Sequence, residues 1–482
     1  MLRKYIQYRP LLLVVFTIAI LCSISLLDVD IKIGNFTLKT ASIISDIQEK
    51  PKIDSTIFKK VKTDSLIKNK RIYDSLNLNF DSIKLAEEND LRISDYRIDS
   101  LGLLGKFFDA LYKTEKKEGI TRIAYFGDSM IEGDLITQTL RATLQSIFGG
   151  NGVGFVPVFS KTGDFRRTIH SKYSTNWSCY SYLEKKGYKN FGISGFVFNP
   201  NILYKEMLND TIINKAISWV QFSAPSDTYY RLRNFEKARL FYGKSDSKNY
   251  LRVDYDTVKK FMPINGSNYV NDLTLHFKNP IRKISYNFFI DTLTDVYGFS
   301  FEGEDGVYLD NFSVRSNSGL PILSIPANIL KGMNDYLNYN LVVLQYGLNV
   351  SSPEARNFSW YEQGMIKVIN HIKNCMPNAD ILIVSVGDRS QKVGTEMETM
   401  SSIPFLVEAQ RKIAKETHCS FLNLFQTMGG QNSMVQWVDT IPSMANKDYT
   451  HFNYRGAERI GNLISDKLLN EYEIYKFKKS IN

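Results

Sequence analysis

The sequence predicts an α/β domain that is interrupted by a β-rich insertion and preceded by a membrane-spanning helix. Residues 341–346 and 381–386 are near-continuous apolar runs, as is typical of buried parallel strands. Residues 160–305 contain short alternating runs rich in Tyr, Phe and Val, separated by turn-rich stretches, which is typical of a β-sandwich. Residues 11–27 carry no charge at all.

The uncharged N-terminal run predicts an anchor over residues 1–30. Three cationic residues precede the run and two aspartates follow it. Its length lies at the short end of a membrane-spanning helix, and the cationic flank would stay in the cytoplasm. A cleaved signal peptide is the alternative, although the run is followed by no convincing small-residue cleavage site. In both cases the remainder of the chain is exported, to the periplasm or the cell surface.

Length, net charge and cysteine spacing limit which folds and partners are expected. A chain of 482 residues exceeds what one hydrophobic core usually serves, so we expect two folded units. The net charge of +10 is scattered among acidic residues, and nucleic acid is therefore not an expected partner. The four cysteines have no paired metal-ligand spacing, so the sequence predicts neither a metal site nor a disulfide framework.

The order of the segments predicts the domain boundaries. A polar stretch rich in Asp, Lys and Ser predicts a spacer over residues 31–95. The α/β domain then occupies residues 96–160 and 306–482, and the β-rich insertion occupies residues 161–305. Apolar residues at helical spacing predict helices, which we place near 100–111, 135–148, 353–376, 402–417 and 453–472.

A candidate nucleophile follows the first apolar strand. Gly127-Asp128-Ser129 comes directly after residues 123–126, and such a strand–turn arrangement presents a serine hydroxyl at the carboxyl edge of a sheet. A serine hydroxyl needs a base within hydrogen-bond reach. Of the five histidines, only His451 has an acid three positions before it in a loop that opens a helix. Asp448 would accept the imidazole N–H and fix the tautomer of the ring.

An acyl-transfer site also needs donors for an oxyanion. The backbone N–H of Ser129 is one candidate. The Asn349 amide is a second, because Asn349 follows the strand at 341–346 and should lie at the same edge of the sheet. A third is the backbone N–H of Gly319, which follows the strand predicted at 308–314.

These patches, taken in order, resemble the four conserved blocks of the SGNH (GDSL-type) hydrolases. The resemblance implies a flavodoxin-like three-layer α/β fold, with Ser129 as nucleophile, His451 as base and Asp448 as its partner. It also implies an oxyanion hole formed by Ser129, Gly319 and Asn349. Met130 stands where the broader group has Leu, and Val350 follows the asparagine where many members have an acid.

One assignment within this resemblance has an alternative. Gly195, in Ile193-Ser194-Gly195, also fits the glycine block. We favour Gly319, because a strand followed by glycine should directly precede the strand of Asn349. Gly195 would place the whole sandwich between them.

The number of residues between the blocks indicates which members of the superfamily the chain resembles. Ser129 and Asn349 lie 220 positions apart, and residues 127–134 with Phe148-Gly149-Gly150 are similar to envelope members that have an inserted β-sandwich. The peptidoglycan O-acetylesterases are the best-known group of this kind. The resemblance implies a carbohydrate-binding-like insertion, an acylated envelope polysaccharide as substrate, and no metal or organic cofactor. A polysaccharide O-acyltransferase using the same site is one alternative, and a non-catalytic glycan-binding envelope protein is another.

Overall fold

The computed structural model describes residues 31–33, 36–38, 90–97, 102–161, 166–184, 187–200, 204–208 and 211–481. The predicted anchor over residues 1–30 and most of the predicted spacer lie outside these residues. Strands β1 (Ile31–Ile33) and β2 (Phe36–Leu38) pair with each other in antiparallel fashion. They belong to a separate unit, and all other described elements belong to the unit Phe80–Asn482. Among the described helices, none combines the length and the apolar character needed to cross a membrane.

The elements of the larger unit alternate between an α/β part and a β-rich part. The strands are β3 (Ile93–Asp95), β4 (Ile120–Gly127), β5 (Gly154–Val156), β6 (His170–Tyr173), β7 (Trp177–Ser181), β8 (Phe196–Pro200), β9 (Tyr204–Leu208), β10 (Thr211–Ser223), β11 (Phe235–Tyr242), β12 (Tyr250–Tyr255), β13 (Val258–Pro263), β14 (Asn271–Ile281), β15 (Lys283–Ile290), β16 (Val296–Glu302), β17 (Gly306–Ser313), β18 (Leu341–Gln345), β19 (Asp380–Val384), β20 (Ser390–Val393), β21 (Glu396–Thr399) and β22 (Ser420–Leu422). The α-helices are α1 (Gly105–Glu115), α2 (Thr137–Phe148), α3 (Ala327–Leu337), α4 (Ser359–Cys375), α5 (Ile403–Glu416), α6 (Leu424–Met428), α7 (Ser433–Asp439) and α8 (Tyr454–Ile481). Short 3₁₀ turns in the described residues lie at Ser129–Asp134, Tyr230–Leu232, Leu320–Ser324 and Leu348–Val350.

The α/β part is built on a six-stranded sheet in the order β17-β4-β18-β19-β22-β3. Its first five strands are parallel, and only β3 runs antiparallel, along the edge of β22. Every residue of β18 and β19 is buried, so helices must cover both faces of the sheet. Helices α1, α2 and α8 pack together, and α4 packs with both α3 and α5. The expected α/β class is therefore confirmed.

Two predicted boundaries differ from the structure. Strand β3 falls within the predicted spacer over residues 31–95, because Ile93 is buried and β3 hydrogen-bonds to β22. The α/β part therefore begins earlier than residue 96. Strand β5 falls before the predicted start of the insertion at residue 161, yet it pairs with β16 of the sandwich. Both strands are three residues long, and their positions depend on partners far away in the sequence.

The inserted part consists of two six-stranded sheets. One has the order β13-β12-β15-β10-β6, with β9 paired to β10, and the other has the order β14-β11-β16-β8-β7, with β5 paired to β16. Their pairings are antiparallel, and their inward side chains share one apolar core. The core includes Val220, Phe222, Leu240, Tyr286, Phe288 and Phe299.

A buried ionic cluster joins the two parts. Asp310 in β17 accepts hydrogen bonds from Arg122 of β4 at 3.1 Å, from the Tyr339 hydroxyl at 2.6 Å and from the Phe155 N–H at 2.8 Å. Arg122 also pairs with Glu302 of β16 at 2.8 Å. Buried charges are tolerated when they are paired and hydrogen-bonded in this way. The cluster therefore holds the sandwich against the parallel sheet.

Candidate active site

Three strands of the parallel sheet end at the same level. Ser313 at the end of β17 and Gln345 at the end of β18 both lie opposite Gly127 at the end of β4. Loops that leave these three ends therefore meet at one edge. The carboxyl edge of a parallel sheet is where α/β folds build their sites.

The loop after β4 is a tight turn that begins with Ser129. A Cβ at Gly127 would lie 2.9 Å from the Ile131 side chain and 3.1 Å from the Gln345 carbonyl oxygen, so a larger residue would force these neighbours apart. The Asp128 carboxylate caps the turn by accepting the Met130 N–H at 3.0 Å. These two constraints fix the position of Ser129 at the start of the turn.

Ser129, His451 and Asp448 form a continuous chain of hydrogen bonds. The Ser129 Oγ lies 3.0 Å from the His451 Nε2, and the His451 Nδ1 lies 2.7 Å from the Asp448 Oδ2. Because a carboxylate can only accept, the Nδ1 carries the hydrogen and the Nε2 is left as the acceptor for the serine hydroxyl. The three residues proposed from the sequence are thus brought together in the order that acyl transfer requires.

The Asp448 carboxylate also shapes the loop that carries His451. Its Oδ1 accepts the N–H groups of Thr450 and His451, each at 3.0 Å. Burial raises the pKa of Asp448, but the hydrogen bonds from His451 and Thr450 outweigh it, and the net pKa lies below the ordinary value. Asp448 therefore stays ionised where histidine is neutral, and it can stabilise an imidazolium.

A buried asparagine connects the two other loops. The Asn317 side-chain oxygen accepts the Gly319 N–H at 2.9 Å, and its backbone carbonyl accepts the Asn349 amide at 2.9 Å. Its own amide donates to the hydroxyl of Tyr182, which belongs to the insertion, at 2.7 Å. The sequence pattern singled out Gly319 and Asn349 but not Asn317 or Tyr182. The only local signal for Asn317 is its place two residues before the glycine.

The three expected oxyanion donors differ in their present partners. The Asn349 amide donates to Asn317 and also to Asp128 Oδ2, at 3.1 Å, which accounts for both of its hydrogens. The Gly319 N–H donates to Asn317. Within the described part of the chain, the Ser129 N–H has no acceptor. Ser129 therefore presents the donor that is open to a ligand, and the other two must share or exchange their acceptors.

The alternative glycine lies in a turn of the insertion. The Gly195 N–H donates to the Gly192 carbonyl at 2.9 Å, and the Gly195 carbonyl accepts the Tyr182 N–H at 3.0 Å. A Cβ at Gly195 would lie 2.5 Å from the Tyr182 ring. Gly195 thus packs against Tyr182, whereas the N–H of Gly319 hydrogen-bonds directly to Asn317.

Asp128 is a buried carboxylate beside the nucleophile. Burial has the largest effect on the pKa of Asp128 and raises it, whereas the Met130 N–H, the charge of His451 and the Asn349 amide all lower it. Because the effect of burial is larger, the net pKa is raised to about 6. The carboxylate holds Asn349 and the nucleophile turn at once. Its charge is therefore kept in the site at a cost to stability.

The chain is similar to known proteins in its structure and not in its sequence. No family model matches the sequence, and no curated protein matches it. The structure is similar to a solved peptidoglycan O-acetylesterase, with a TM-score of 0.63 and 18% sequence identity over 79% of this chain and 99% of that chain. The chain has the SGNH hydrolase fold. The four residues assigned to the SGNH blocks lie in connecting segments: Ser129 after β4, Gly319 after β17, Asn349 after β18 and His451 before α8.

Two further similarities are much weaker. A family two carbohydrate esterase from Cellvibrio japonicus aligns with a TM-score of 0.24 and 6% identity, over 63% of this chain and 98% of that chain. Another from Clostridium thermocellum, solved with cellohexaose, aligns with a TM-score of 0.25 and 10% identity, over 53% of this chain and 92% of that chain. Scores this low add nothing to the assignment of the SGNH fold.

Replacing Asp128 with Asn should reveal the cost of burying its charge. Because folding raises the pKa of Asp128 from 3.8 to about 6, its contribution to stability is fully present below 3.8 and is lost as the pH rises through 6. Relative to Asp128→Asn, the wild-type protein should lose about 2 kcal/mol in its free energy of unfolding between about pH 4.5 and about pH 8. Urea unfolding at both pH values measures this.

The exposed Asp335 in α3 offers the matched control. The difference between wild-type protein and Asp335→Asn should stay the same at the two pH values. A difference between wild-type protein and Asp128→Asn that also stays constant would contradict the raised pKa of Asp128.

Proposed function

We propose that the protein is an exported serine esterase that removes O-acetyl or other small acyl groups from an envelope polysaccharide such as peptidoglycan. The observation that carries the enzymatic part is the unbroken hydrogen-bond chain from Ser129 through His451 to Asp448. This arrangement can activate a hydroxyl nucleophile and later return its proton.

The first half of the reaction forms an acyl-enzyme. The Ser129 Oγ attacks the ester carbonyl carbon while the His451 Nε2 takes the hydroxyl proton. Asp448 stabilises the imidazolium through the Nδ1–H. When the tetrahedral intermediate collapses, the bond between the carbonyl carbon and the sugar oxygen breaks, and the Nε2 proton passes to that oxygen. The deacylated sugar leaves with its hydroxyl restored.

The second half consumes one water. His451 takes a proton from the water as it attacks the acyl carbon, and the proton then returns to the Ser129 Oγ as the acid is released. The cycle balances with water as the only co-reactant, and it requires no metal or organic cofactor from the protein.

Donors for the oxyanion come from the edge of the sheet. The Ser129 N–H is open to the carbonyl oxygen as the structure stands. The Asn349 amide and the Gly319 N–H would add to it by sharing hydrogen bonds with Asp128 and Asn317, the present acceptors. Loss of one such donor typically lowers kcat about a hundred- to a thousandfold.

The substrate class and the location rest on separate observations. The similarity to a peptidoglycan O-acetylesterase extends over nearly all of that chain, which supports a polysaccharide ester as substrate. The uncharged run at 11–27, with cationic residues before it, supports export and membrane anchoring of the catalytic part. Both parts of the proposal can fail while the esterase mechanism holds.

Two alternatives give different results in solution. A polysaccharide O-acyltransferase would pass the acyl group from Ser129 to a second sugar faster than to water, so added acceptor sugar would suppress acetate release. A non-catalytic glycan-binding protein would release no acetate under any condition.

Replacing Ser129 with Ala should abolish esterase activity. We expect the wild-type protein to hydrolyse 4-nitrophenyl acetate, and Ser129→Ala to lower kcat/KM by at least about a thousandfold, because among the described residues the Ser129 hydroxyl is the one hydrogen-bonded to the His451 ring. Ser146→Ala is the matched control, since Ser146 lies exposed in α2 and its hydroxyl donates to the Thr143 carbonyl of the same helix. Equal activity of wild-type protein and Ser129→Ala would refute the nucleophile assignment.

Replacing Asn317 with Ala should lower kcat without a matching change in KM. The substitution removes the acceptor that holds the Gly319 N–H, so the donors lose their alignment while the binding surface stays; we expect a loss of about ten- to a hundredfold. Steady-state kinetics with 4-nitrophenyl acetate gives both constants. Tyr182→Phe removes the hydroxyl that accepts the Asn317 amide, but it leaves the hydrogen bond between Asn317 and the Gly319 N–H. It should therefore lower kcat much less than Asn317→Ala does. An Asn317→Ala effect on KM alone would contradict a positioning role.

A further inference from the structure

A short segment of the insertion, residues 166–168, lies against the catalytic edge of the sheet. The buried Thr168 hydroxyl donates to Asp134 Oδ2 at 2.7 Å, and the Arg166 guanidinium lies 3.3 Å from the same oxygen. Asp134 is the last residue of the turn that Ser129 begins. The insertion is therefore attached to the nucleophile loop five residues beyond the nucleophile.

The attachment point is a fully buried ion pair. Arg141 of α2 donates to the two oxygens of Asp134 at 2.6 Å and 2.9 Å, and both side chains are completely inaccessible to solvent. Breaking a buried ion pair of this kind is strongly destabilising, because it leaves an uncompensated buried charge. Residues 166–168 consequently keep a fixed position relative to the nucleophile loop.

Arg167, in the middle of this segment, extends to the start of helix α8, which follows the loop of His451. Its guanidinium carbon lies 3.4 Å from the centre of the Tyr454 ring. Tyr454 comes three residues after His451, so their Cα atoms lie within about 11 Å at 3.8 Å per residue. The guanidinium thus lies between residues attached to the nucleophile loop, through Asp134, and a tyrosine that closely follows the base in the chain.

Among the described residues, no carboxylate pairs with the guanidinium of Arg167. Arg167 is exposed, and in the described part of the chain it has no acidic partner. Arg315, a second cation near the site, differs because it donates to Glu132 at 2.8 Å and 2.5 Å. A guanidinium stacked on an aromatic face keeps its edge N–H groups available for an in-plane carboxylate.

We propose that Arg167 binds a carboxylate of the polymer substrate, on or next to the sugar whose ester Ser129 attacks. The substrate is accordingly an acidic acylated polysaccharide, and Arg167 determines specificity for the charged form. This inference rests on the proposed esterase function and names the substrate class of that site. The carboxylate belongs to the sugar itself or to a peptide substituent on it.

The test compares substrates that differ only in one charge. Acetate release is measured from acetylated oligogalacturonides and from the same oligomers converted to carboxamides. A second pair is O-acetylated peptidoglycan fragments with free and with amidated peptide carboxylates. For at least one pair, we expect the wild-type protein to show a kcat/KM about ten- to a hundredfold higher on the charged member. Arg167→Met should lose most of that ratio, and the responsive pair identifies the source of the carboxylate.

Arg455→Met is the matched control, because Arg455 is an exposed arginine one residue beyond Tyr454 and should leave the ratio unchanged. Binding of the Ser129→Ala protein to the same four substrates gives the preference even when no acetate is released. A ratio near one in both pairs, or an unchanged ratio in Arg167→Met, would overturn the proposal. Hydrolysis of 4-nitrophenyl acetate reports separately on the esterase function, since that ester carries no carboxylate.

Discussion

The in-register parallel pairing of β17, β4 and β18 is the constraint on which the site depends. Ser313, Gly127 and Gln345 lie level with one another, and short loops follow each of them. A slip of one residue would displace a loop by about 3.3 Å along the strand and turn its side chains to the other face. Hydrogen bonds between the loops tolerate much less than this. Burial of both faces of the sheet, which sets the register, therefore also sets the geometry of the turn at Ser129 and of the loops that carry Gly319 and Asn349.

The insertion contacts the loops that leave this edge of the sheet. Thr168 contacts the nucleophile loop through Asp134, and Tyr182 contacts Asn317 between the two donor loops. Arg167 contacts Tyr454, the first residue of α8, which follows the loop of His451. The insertion therefore contacts three separate segments of the α/β part, at Asp134, Asn317 and Tyr454. A polymer bound by the insertion would lie at a fixed position relative to Ser129.

The sequence was most informative where the determining pattern is local. Ser129 could be proposed because an apolar strand and a glycine turn precede it, and His451 because Asp448 stands three residues before it. Asn317 could not be proposed, since its partners Asn349 and Tyr182 lie 32 and 135 positions away. Strand β3 was missed for a similar reason: it is three residues long and pairs with β22, more than three hundred positions later. Long-range pairing of polar or short segments leaves no periodic signal.

The central claim is that Ser129 is a nucleophile activated by His451. Its most direct test is reaction with a fluorophosphonate probe, which modifies activated serine hydroxyls, followed by peptide mapping by mass spectrometry. If His451 activates Ser129, Ser129 should be the single modified serine, and its rate of modification should fall strongly in the His451→Ala protein. Modification of a different serine, or an equal rate at Ser129 without His451, would contradict it.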